Sequence, residues 1–545
     1  MKYFLFPAFI LLSGCQSTLT AQHSSTDKKE SNQIQEIIAS TSDINQALLA
    51  DENIDVTHPI DDVDFSLKDN SLTNNNDVWQ RIRKQLTFDV PNNNRVIAQR
   101  NWYVKHPSYL TRVAKRAEPF MFYIVEELEK NNLPIELVLL PIVESAFDPF
   151  AYSHGRASGM WQFVPGTGKR FGMKQNWWYD GRRDVIASTQ GAIAYMKYLH
   201  KFFDGDWLLA LAAYNSGEGR VRRAVRKNKK LGKNTDFWAL DLPKETRAYV
   251  PKLLALADIV KNPQQFDLTL YEITNEEVIS QINIKSQLDL AKAASLAELS
   301  LTELQRLNPG FNRWATDPDG PHRLVLPKHK ITHFEQGLAK LKQADRLAWQ
   351  RYKIKNGDNL GHIANKFHTS IDLIRQVNNI NGNQIRAGKH LLIPVAAKSL
   401  DSYILSHDQR IAKKQAKPQQ GFKVTHTVVS GDNLWDLGQR YKVTSRKIAK
   451  WNGFAPRDTL KLGQKLVIWQ KPSSSSKLAK TNAKVEQAIM RNITYKVRRG
   501  DSFARIADKF NVRISDIERW NSLSRTKYLQ PGQRLKLSVD VTNNI

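Results

Sequence analysis

Three stretches in the C-terminal half of the chain are copies of one another, and this restricts how that half can fold. YKIKNGDNLGHIANKF (352–367), HTVVSGDNLWDLGQRY (426–441) and YKVRRGDSFARIADKF (495–510) share one frame. Each sets an aromatic residue or His five residues before a Gly, follows with Gly-Asp, and continues with apolar residues at helical spacing. An Asn stands 21 residues after each Gly (Gly357 to Asn378, Gly431 to Asn452, Gly500 to Asn521), and each unit closes on a Gly and a short apolar run: GKHLLIP, GQKLVIW, GQRLKLS. Self-similarity of this kind marks one supersecondary unit used repeatedly. The pattern reads as strand, turn, helix, helix, strand. Asp358, Asp432 and Asp501 are the expected N-caps of the first helix, because a short side-chain oxygen can accept a free first-turn N–H.

The units are expected at 350–395, 424–469 and 493–538, joined by Lys/Gln/Ser-rich linkers at 396–421 and 470–492. Residues 263–340 hold a degenerate copy. LAELSLTELQRLNPGF keeps the helices and the Asn (Asn308), and HRLVLP closes it, but Gln287-Leu288 stand where Gly-Asp should be. A packing role is expected there in place of binding. The repeated unit resembles the LysM module, two helices on a two-stranded sheet that binds N-acetylglucosamine-containing glycans. The resemblance implies that glycan lies along Gly357-Asp358-Asn359, Gly431-Asp432-Asn433 and Gly500-Asp501-Ser502, together with the stretch before each last strand.

The N-terminus gives the compartment. MKYFLFPAFILLSGCQS has Lys2, an apolar run to Leu12 and small residues before Cys15, which is a secretory signal pattern (1–15). The run is about half of the roughly 20 residues that a spanning helix needs. Leu12-Ser13-Gly14-Cys15 resembles a bacterial lipobox, implying lipidation of Cys15 and, with Gln16 next, the periplasmic face of the outer membrane. Cys15 is the only cysteine, so neither an intrachain disulfide nor a Cys-based metal cluster is possible. Residues 16–78 carry three Lys against twelve acidic residues and little apolar content, the composition of a disordered tether. The chain as a whole carries +28, so the body that follows this acidic tether is more basic still, at +36. That body seeks a polyanion, and behind a secretion signal cell-wall glycan with acidic stem peptides or anionic head groups fit better than nucleic acid.

At 545 residues several domains are expected, and residues 79–262 read as an all-α one. EPFMFYIVEELEKNN sets Pro119 at an early helical position, DVIASTQGAIAYMKYLHKFF opens at Asp184 and buries Ile186, Ile193 and Met196, DWLLALAAYNSG opens at Asp206 and ends at Gly217, and TRAYVPKLLALADIV has Pro251 near its start.

Within this domain VESAFDPFAYSHGRASGMWQF (143–163) places one carboxylate, Glu144, at the end of the apolar run PIELVLLPIV, where Pro141 kinks or restarts the helix. A carboxylate at a helix end among apolar neighbours is poorly solvated, which raises its pKa from about 4.3 toward neutrality and makes it a general acid. The order Glu144-Ser145, Pro149, Ala151, Ser153, Gly159-Met160-Trp161-Gln162, followed by AYNSGEGRV (213–221) and LPKETRAYVPKLLA (242–255), resembles the three motifs of the lytic transglycosylase family with a goose-lysozyme-like fold. The resemblance implies Glu144 as the single acid/base and Ser153 as its orienting neighbour. It implies Met160 and Gln162 along the sugar subsites, Tyr214 and Asn215 at the N-acetyl group or the reacting ring, and Glu245 and Tyr249 on the far wall, with a place in the helical core as the alternative for Met160, Tyr214 and Tyr249. Trp161 departs from the family's usual Leu-Met-Gln form.

Asp148, Asp180 and Asp184 read as structural, since Pro149 bends the chain away after Asp148 and Arg182-Arg183 hold the other two. Without a partner carboxylate, the family reaction fits: Glu144 protonates the β-1,4 oxygen between N-acetylmuramic acid and N-acetylglucosamine, then takes the proton of the muramyl C6 hydroxyl as a 1,6-anhydro ring closes. No cofactor and no metal is needed. A muramidase in which water reaches C1 and a catalytically dead wall-binding protein remain the alternatives. The basic run RVRRAVRKNKKLGK (220–233) is either a solvated helix face or a contact for stem peptides.

Overall fold

The computed structural model describes residues 77–470, 490–498, 501–510, 512–523 and 529–540. Cys15, its lipobox, the tether to residue 76, Gly500 and most of the 470–492 linker lie outside the described residues. Two compact units divide the chain, one ending at Gln470 and one beginning at Lys471.

The fold already includes the last two residues of the expected tether. Asp77 caps the helix Val78–Arg83 by accepting from the Trp79 N–H, and Val78 and Ile82 are fully buried, so the tether reading of 16–78 overlaps the fold by two residues. The all-α expectation holds for the catalytic region, where only isolated β-bridges occur among the described residues. Helix α1 (Pro107–Lys130) buries Val113, Ala117, Phe120, Met121, Ile124 and Leu128 at three- and four-residue spacing. It begins at Pro107, so Pro119 is interior, not early; Pro251 is likewise interior to α5 (Lys244–Lys261).

Between these lie α2 (Leu140–Ser145), α3 (Val185–Phe202) and α4 (Trp207–Ser216). The caps on α3 and α4 are those read from sequence: Asp184 accepts from the Ala187 N–H at 2.8 Å and Asp206 from the Leu209 N–H at 2.9 Å. Gly217 ends α4 at φ +85°. Ile186, Ile193 and Met196 join one core with α1 and α5.

Each repeat is a two-stranded antiparallel sheet carrying two helices: Ala348–Lys353 with His390–Val395, Phe422–Thr427 with Lys465–Gln470, and Met490–Lys496 with Arg534–Asp540. The degenerate copy has the same plan, Ile279–Asn283 with Arg323–Pro327. The repeated Asn is a staple in all four. Its amide donates to the second helix and to the last strand, and its carbonyl accepts from that strand's N–H: Asn308 on Leu304 and Val325, Asn378 on Ile374 and Leu392, Asn452 on Ile448 and Val467, Asn521 on Ile517 and Lys536. Three bonds from one side chain fix the angle between helix and sheet in a unit too small to do so by packing alone.

The expected caps need correction. Asn359 and Asn433 are the N-caps, accepting from the His362 and Asp436 N–H groups, and Ser502 accepts from the Arg505 N–H. The aspartates face the other way. Asp358 accepts from the Tyr352 hydroxyl at 2.8 Å and from the Lys355 N–H, and Asp501 repeats this with Tyr495 and Arg498. Asp432 sits 2.7 Å from the His426 ring and accepts from the Val429 N–H. This explains the aromatic or His five residues before each Gly. These bonds to backbone and hydroxyl hold the Asp358 carboxyl below the usual carboxylate range.

The degenerate copy packs against the first full repeat. Its own segment fills the loop: Gln287 Nε2 donates to the Thr316 carbonyl, the Leu288 N–H to the Thr316 hydroxyl, and the Leu290 N–H to the Trp314 carbonyl. Trp314 in turn donates to the His368 carbonyl of the first full repeat at 2.8 Å. Residues 396–421 are not a bare linker. Tyr403 and Leu405 are buried, the Tyr403 hydroxyl lies 3.1 Å from both Asp289 oxygens, and a helix α6 (His407–Ala416) follows, capped by Ser406.

Candidate active site

Glu144 occupies the last turn of α2, which follows a short 3-10 segment (Ile135–Leu139) and carries Pro141 in its first turn, where the missing N–H costs nothing. The turn ends on two successive left-handed residues, Ala146 (φ +52°) and Phe147 (φ +59°). Non-glycine residues there are uncommon, and a pair of them folds the chain back so that Phe147 is buried while Glu144 keeps part of its surface.

Opposite stands α5. Glu245, Tyr249 and Lys252 recur at i, i+4 and i+7, one face of a helix. The Tyr249 hydroxyl donates to Glu144 Oε1 at 2.6 Å. From the end of α4, Asn215 Nδ2 donates to Glu245 Oε1 at 3.2 Å, while Asn215 Oδ1 accepts from the Thr246 hydroxyl at 2.7 Å. The third wall is the loop 148–163. Ser145 donates to the Met160 carbonyl at 2.9 Å, the Tyr214 hydroxyl to the Trp161 carbonyl at 2.8 Å, and the Gln162 amide to the Gly159 carbonyl at 2.7 Å. These bonds fix the loop's returning limb against the residue after Glu144 and against α4.

Burial is the largest influence on the Glu144 carboxyl and pushes it up to about 7, with the Glu245 charge adding to the rise; the Tyr249 hydrogen bond and the Lys252 ammonium oppose it. Burial, with the Glu144 charge beside them, lifts Tyr249 and Tyr214 well above the ordinary phenol value, so both remain hydrogen-bond donors. Burial lowers Lys252, against the pull of Glu245 and Glu144. The site thus holds a carboxyl that is part protonated near neutral pH, a phenol fixed on it, and an exposed second carboxylate, Glu245.

The structure sorts the residues expected at the site. Tyr249, Tyr214, Asn215, Glu245 and Gln162 converge around Glu144 or the loop beside it. Met160 does not line a subsite: it is fully buried in the core, and only its carbonyl serves the site. Trp161 is buried too, its indole N–H on the Thr189 hydroxyl. Ser153 does not orient Glu144; its hydroxyl accepts from the Gly155 and Ala157 N–H groups and shapes the loop tip. Asp148, Asp180 and Asp184 are structural: Asp148 accepts from the Phe150 N–H, Asp180 is held by Arg182 at 2.8 and 2.9 Å, and Asp184 caps α3 and pairs with Arg323. Lys252 and Ser145 were missed, although the i, i+4, i+7 spacing on an expected helix carried the signal for Lys252. The basic run forms a helix (Glu218–Lys230) burying only Val221, Ala224 and Asn228, with its cations outward.

Replacing Tyr249 with Phe removes a bond that favours the ionised carboxylate, so the Glu144 pKa rises. The high-pH limb of kcat/KM is expected to move up relative to wild type, with a lower maximum as the carboxyl loses its orientation. Glu245→Gln removes a neighbouring negative charge and moves that limb down. pH–rate profiles of the two variants check the opposite signs.

Comparison with known proteins places the chain in a family. Residues 121–237 match the family described as the transglycosylase SLT domain, residues 278–343 the LysM-like domain of lytic transglycosylase MltD, and residues 352–394, 426–469 and 495–538 the LysM domain. The chain is 36% identical over 473 residues, 87% of its length and 88% of the relative's, to membrane-bound lytic murein transglycosylase D of Escherichia coli (strain K12). A 47% identical match over 29% of this chain and 78% of the relative is to a protein named for tributyltin chloride resistance in Alteromonas sp. (strain M-1). Among solved structures, the 70 kDa soluble lytic transglycosylase Slt70 of Escherichia coli aligns over 31% of this chain and 30% of its own, at 20% identity and a TM-score of 0.22.

Proposed function

This chain belongs to the family of membrane-bound lytic murein transglycosylase D, and from that premise we propose that Glu144 is its one acid/base. The chain is a peptidoglycan lytic transglycosylase whose LysM modules bind glycan. The observation that carries the assignment is a carboxyl held near neutrality by burial, with the Tyr249 hydroxyl fixed on it at 2.6 Å.

With its pKa pushed up to about 7 by burial, the Glu144 carboxyl can carry near neutral pH the proton that a glycosidic oxygen needs. Protonated Glu144 donates it to the β-1,4 bridging oxygen as the C1–O bond breaks, and the sugar's own N-acetyl group relieves the charge at C1. The carboxylate that results then removes the proton from the muramyl C6 hydroxyl, whose oxygen closes on C1 and returns Glu144 to its acid form. The Tyr249 bond steadies the ionised carboxylate between the two halves. Asn215 holds Glu245 at the rim, with Gln162 on the loop opposite. The product is a 1,6-anhydromuramyl end and a free 4-hydroxyl on N-acetylglucosamine. Mass analysis of sacculus digests tests this: anhydro ends, lighter by one water, support it, and reducing ends as the main product move the enzyme to the muramidases.

In the repeats, Asp358, Asp432 and Asp501 are committed to the fold, so glycan contact falls to the backbone at Gly357, Gly431 and Gly500 and to exposed apolar neighbours. Val429, Trp435 and Leu462 of the second module, all more than half exposed, flank its two loops and suit the apolar face of a sugar ring. The enzyme works at the periplasmic face of the outer membrane, held by lipid on Cys15. Cys15→Ser is expected to release it to the soluble fraction or leave it unprocessed; a Ser variant that still sediments with membranes without detergent contradicts the anchor.

A further inference from the structure

The loop that forms the third wall of the site is gripped from outside by a glycan-binding module. Asp458 lies in the stretch before the last strand of the second LysM unit. Its Oδ1 pairs with Arg156 Nε at 2.6 Å, and its Oδ2 accepts from the Tyr152 hydroxyl at 3.0 Å. The same oxygen accepts from the Ala455 N–H at 2.8 Å, which holds the carboxylate in place. The Asp458 side chain is 18% exposed. Beside it, helix α6 lays the Arg410 guanidinium 4.9 Å over the Phe150 ring.

Tyr152 and Arg156 belong to the outgoing limb of the loop whose returning limb touches Ser145 and Tyr214. The two limbs are tied: Tyr152 bridges Ser158, Ser158 bridges Phe163, and the Gly159 N–H donates to the Ala151 carbonyl at 3.0 Å. A pull at Asp458 is therefore carried through a short ladder to the Met160 carbonyl, one hydrogen bond from the residue next to Glu144. An acid is present here in the second module alone. Counting six residues on from the stapling Asn, the first module has Gln384 and the third Lys527.

We propose that Asp458 is a positioning residue for catalysis: the second LysM module is a working part of the active site, clamping the loop 151–162 through Tyr152 and Arg156, and not merely a tether to the wall. This rests on Glu144 as the acid. A loop displaced by a fraction of an ångström leaves the carboxyl present but poorly aimed, and such losses fall on turnover more than on binding.

The test uses full-length protein and a short soluble tetrasaccharide of alternating N-acetylglucosamine and N-acetylmuramic acid. Asp458→Ala and Arg156→Ala are each expected to lower kcat on the order of tenfold, with KM within about twofold. The double variant is expected to be no worse than either single, as for two ends of one contact. Asp458→Glu restores part of the loss, and the exchanged pair Arg156→Asp with Asp458→Arg restores turnover that either half alone lacks. Asp372→Asn, in an exposed pair within the first module, serves as the unaffected control. Unchanged kcat in both single variants, strictly additive losses, or a rise in kcat that marks the contact as a brake would each overturn the proposal. Glu144→Gln in the same assay reports separately on the acid, since its loss does not depend on the clamp.

Discussion

Glu144→Gln is expected to lower turnover on sacculi by roughly 100- to 10,000-fold, the range that general acid–base help supplies, while glycan still binds. The amide keeps the shape and can still accept from Tyr249, but it can neither give a proton to the leaving oxygen nor take one from the C6 hydroxyl. Both halves of the reaction are lost together. A second effect runs the other way. Glu144 has a folded pKa raised to about 7, so the folded state holds that proton more tightly than the unfolded chain does. Its contribution to stability is fully present below the unfolded value and is lost as pH rises through about 7. The Gln variant carries no such loss and is expected to melt higher than wild type at pH 8, by a margin that shrinks at pH 5. The Asp148→Asn and Asp180→Asn variants are expected to retain much of the activity, since neither carboxylate has a proton-transfer role. Turnover assays and melting curves at the two pH values read all of this.

Gly159→Ala is the second large effect. Gly159 sits at φ +83°, and a Cβ built there lies 1.8 Å from the Arg182 carbonyl oxygen. That oxygen is backbone, and Arg182 itself is locked by Asp180 and by the Arg156 and Phe163 carbonyls, so the loop must move instead. The left-handed backbone adds roughly 1–2 kcal/mol of strain for any L side chain, and the overlap brings the expected destabilisation to about 3 kcal/mol or more. Because Met160 to Gln162 follow directly, activity is expected to fall on the order of 100-fold even where the protein still folds. Gly155→Ala is the contrast within the same motif: its Cβ meets nothing closer than the Ser153 hydroxyl at 3.6 Å and its φ is ordinary, so activity and melting temperature stay near wild type.

Several signals confined to a few residues hold, although the early placement of Pro119 and Pro251 does not. Asp184 and Asp206 cap the helices they open, Gly217 ends one, and the repeat frame encodes the two-helix, two-strand unit because each element's period and its bounding Gly are local. The errors come from choices that only tertiary contacts decide. Asp358 and Asn359 are both good caps by chemistry, and the Tyr352 hydroxyl, six residues upstream, takes the aspartate. Lys- and Gln-rich composition reads 396–421 as linker, yet two anchors, Tyr403 and Leu405, are enough to pack it. In the site, Glu144 and Tyr249 could be found by motif, whereas Met160 and Trp161 face the core because the loop's two positive-φ turns, Gly159 and Gln162, turn their side chains inward. The clamp by Asp458 joins residues about 300 positions apart, beyond any spacing rule.

The central claim is that one carboxyl, kept protonated near neutral pH by its burial, performs both proton transfers. Site-resolved titration of Glu144, by carbon-13 NMR of labelled glutamate side chains with Glu144→Gln to assign the signal, measures this directly. The account requires a midpoint near 7, close to the high-pH limb of kcat/KM, and a higher midpoint in Tyr249→Phe. A midpoint near 4.5 in the wild-type protein, with activity unchanged through pH 7, would contradict it.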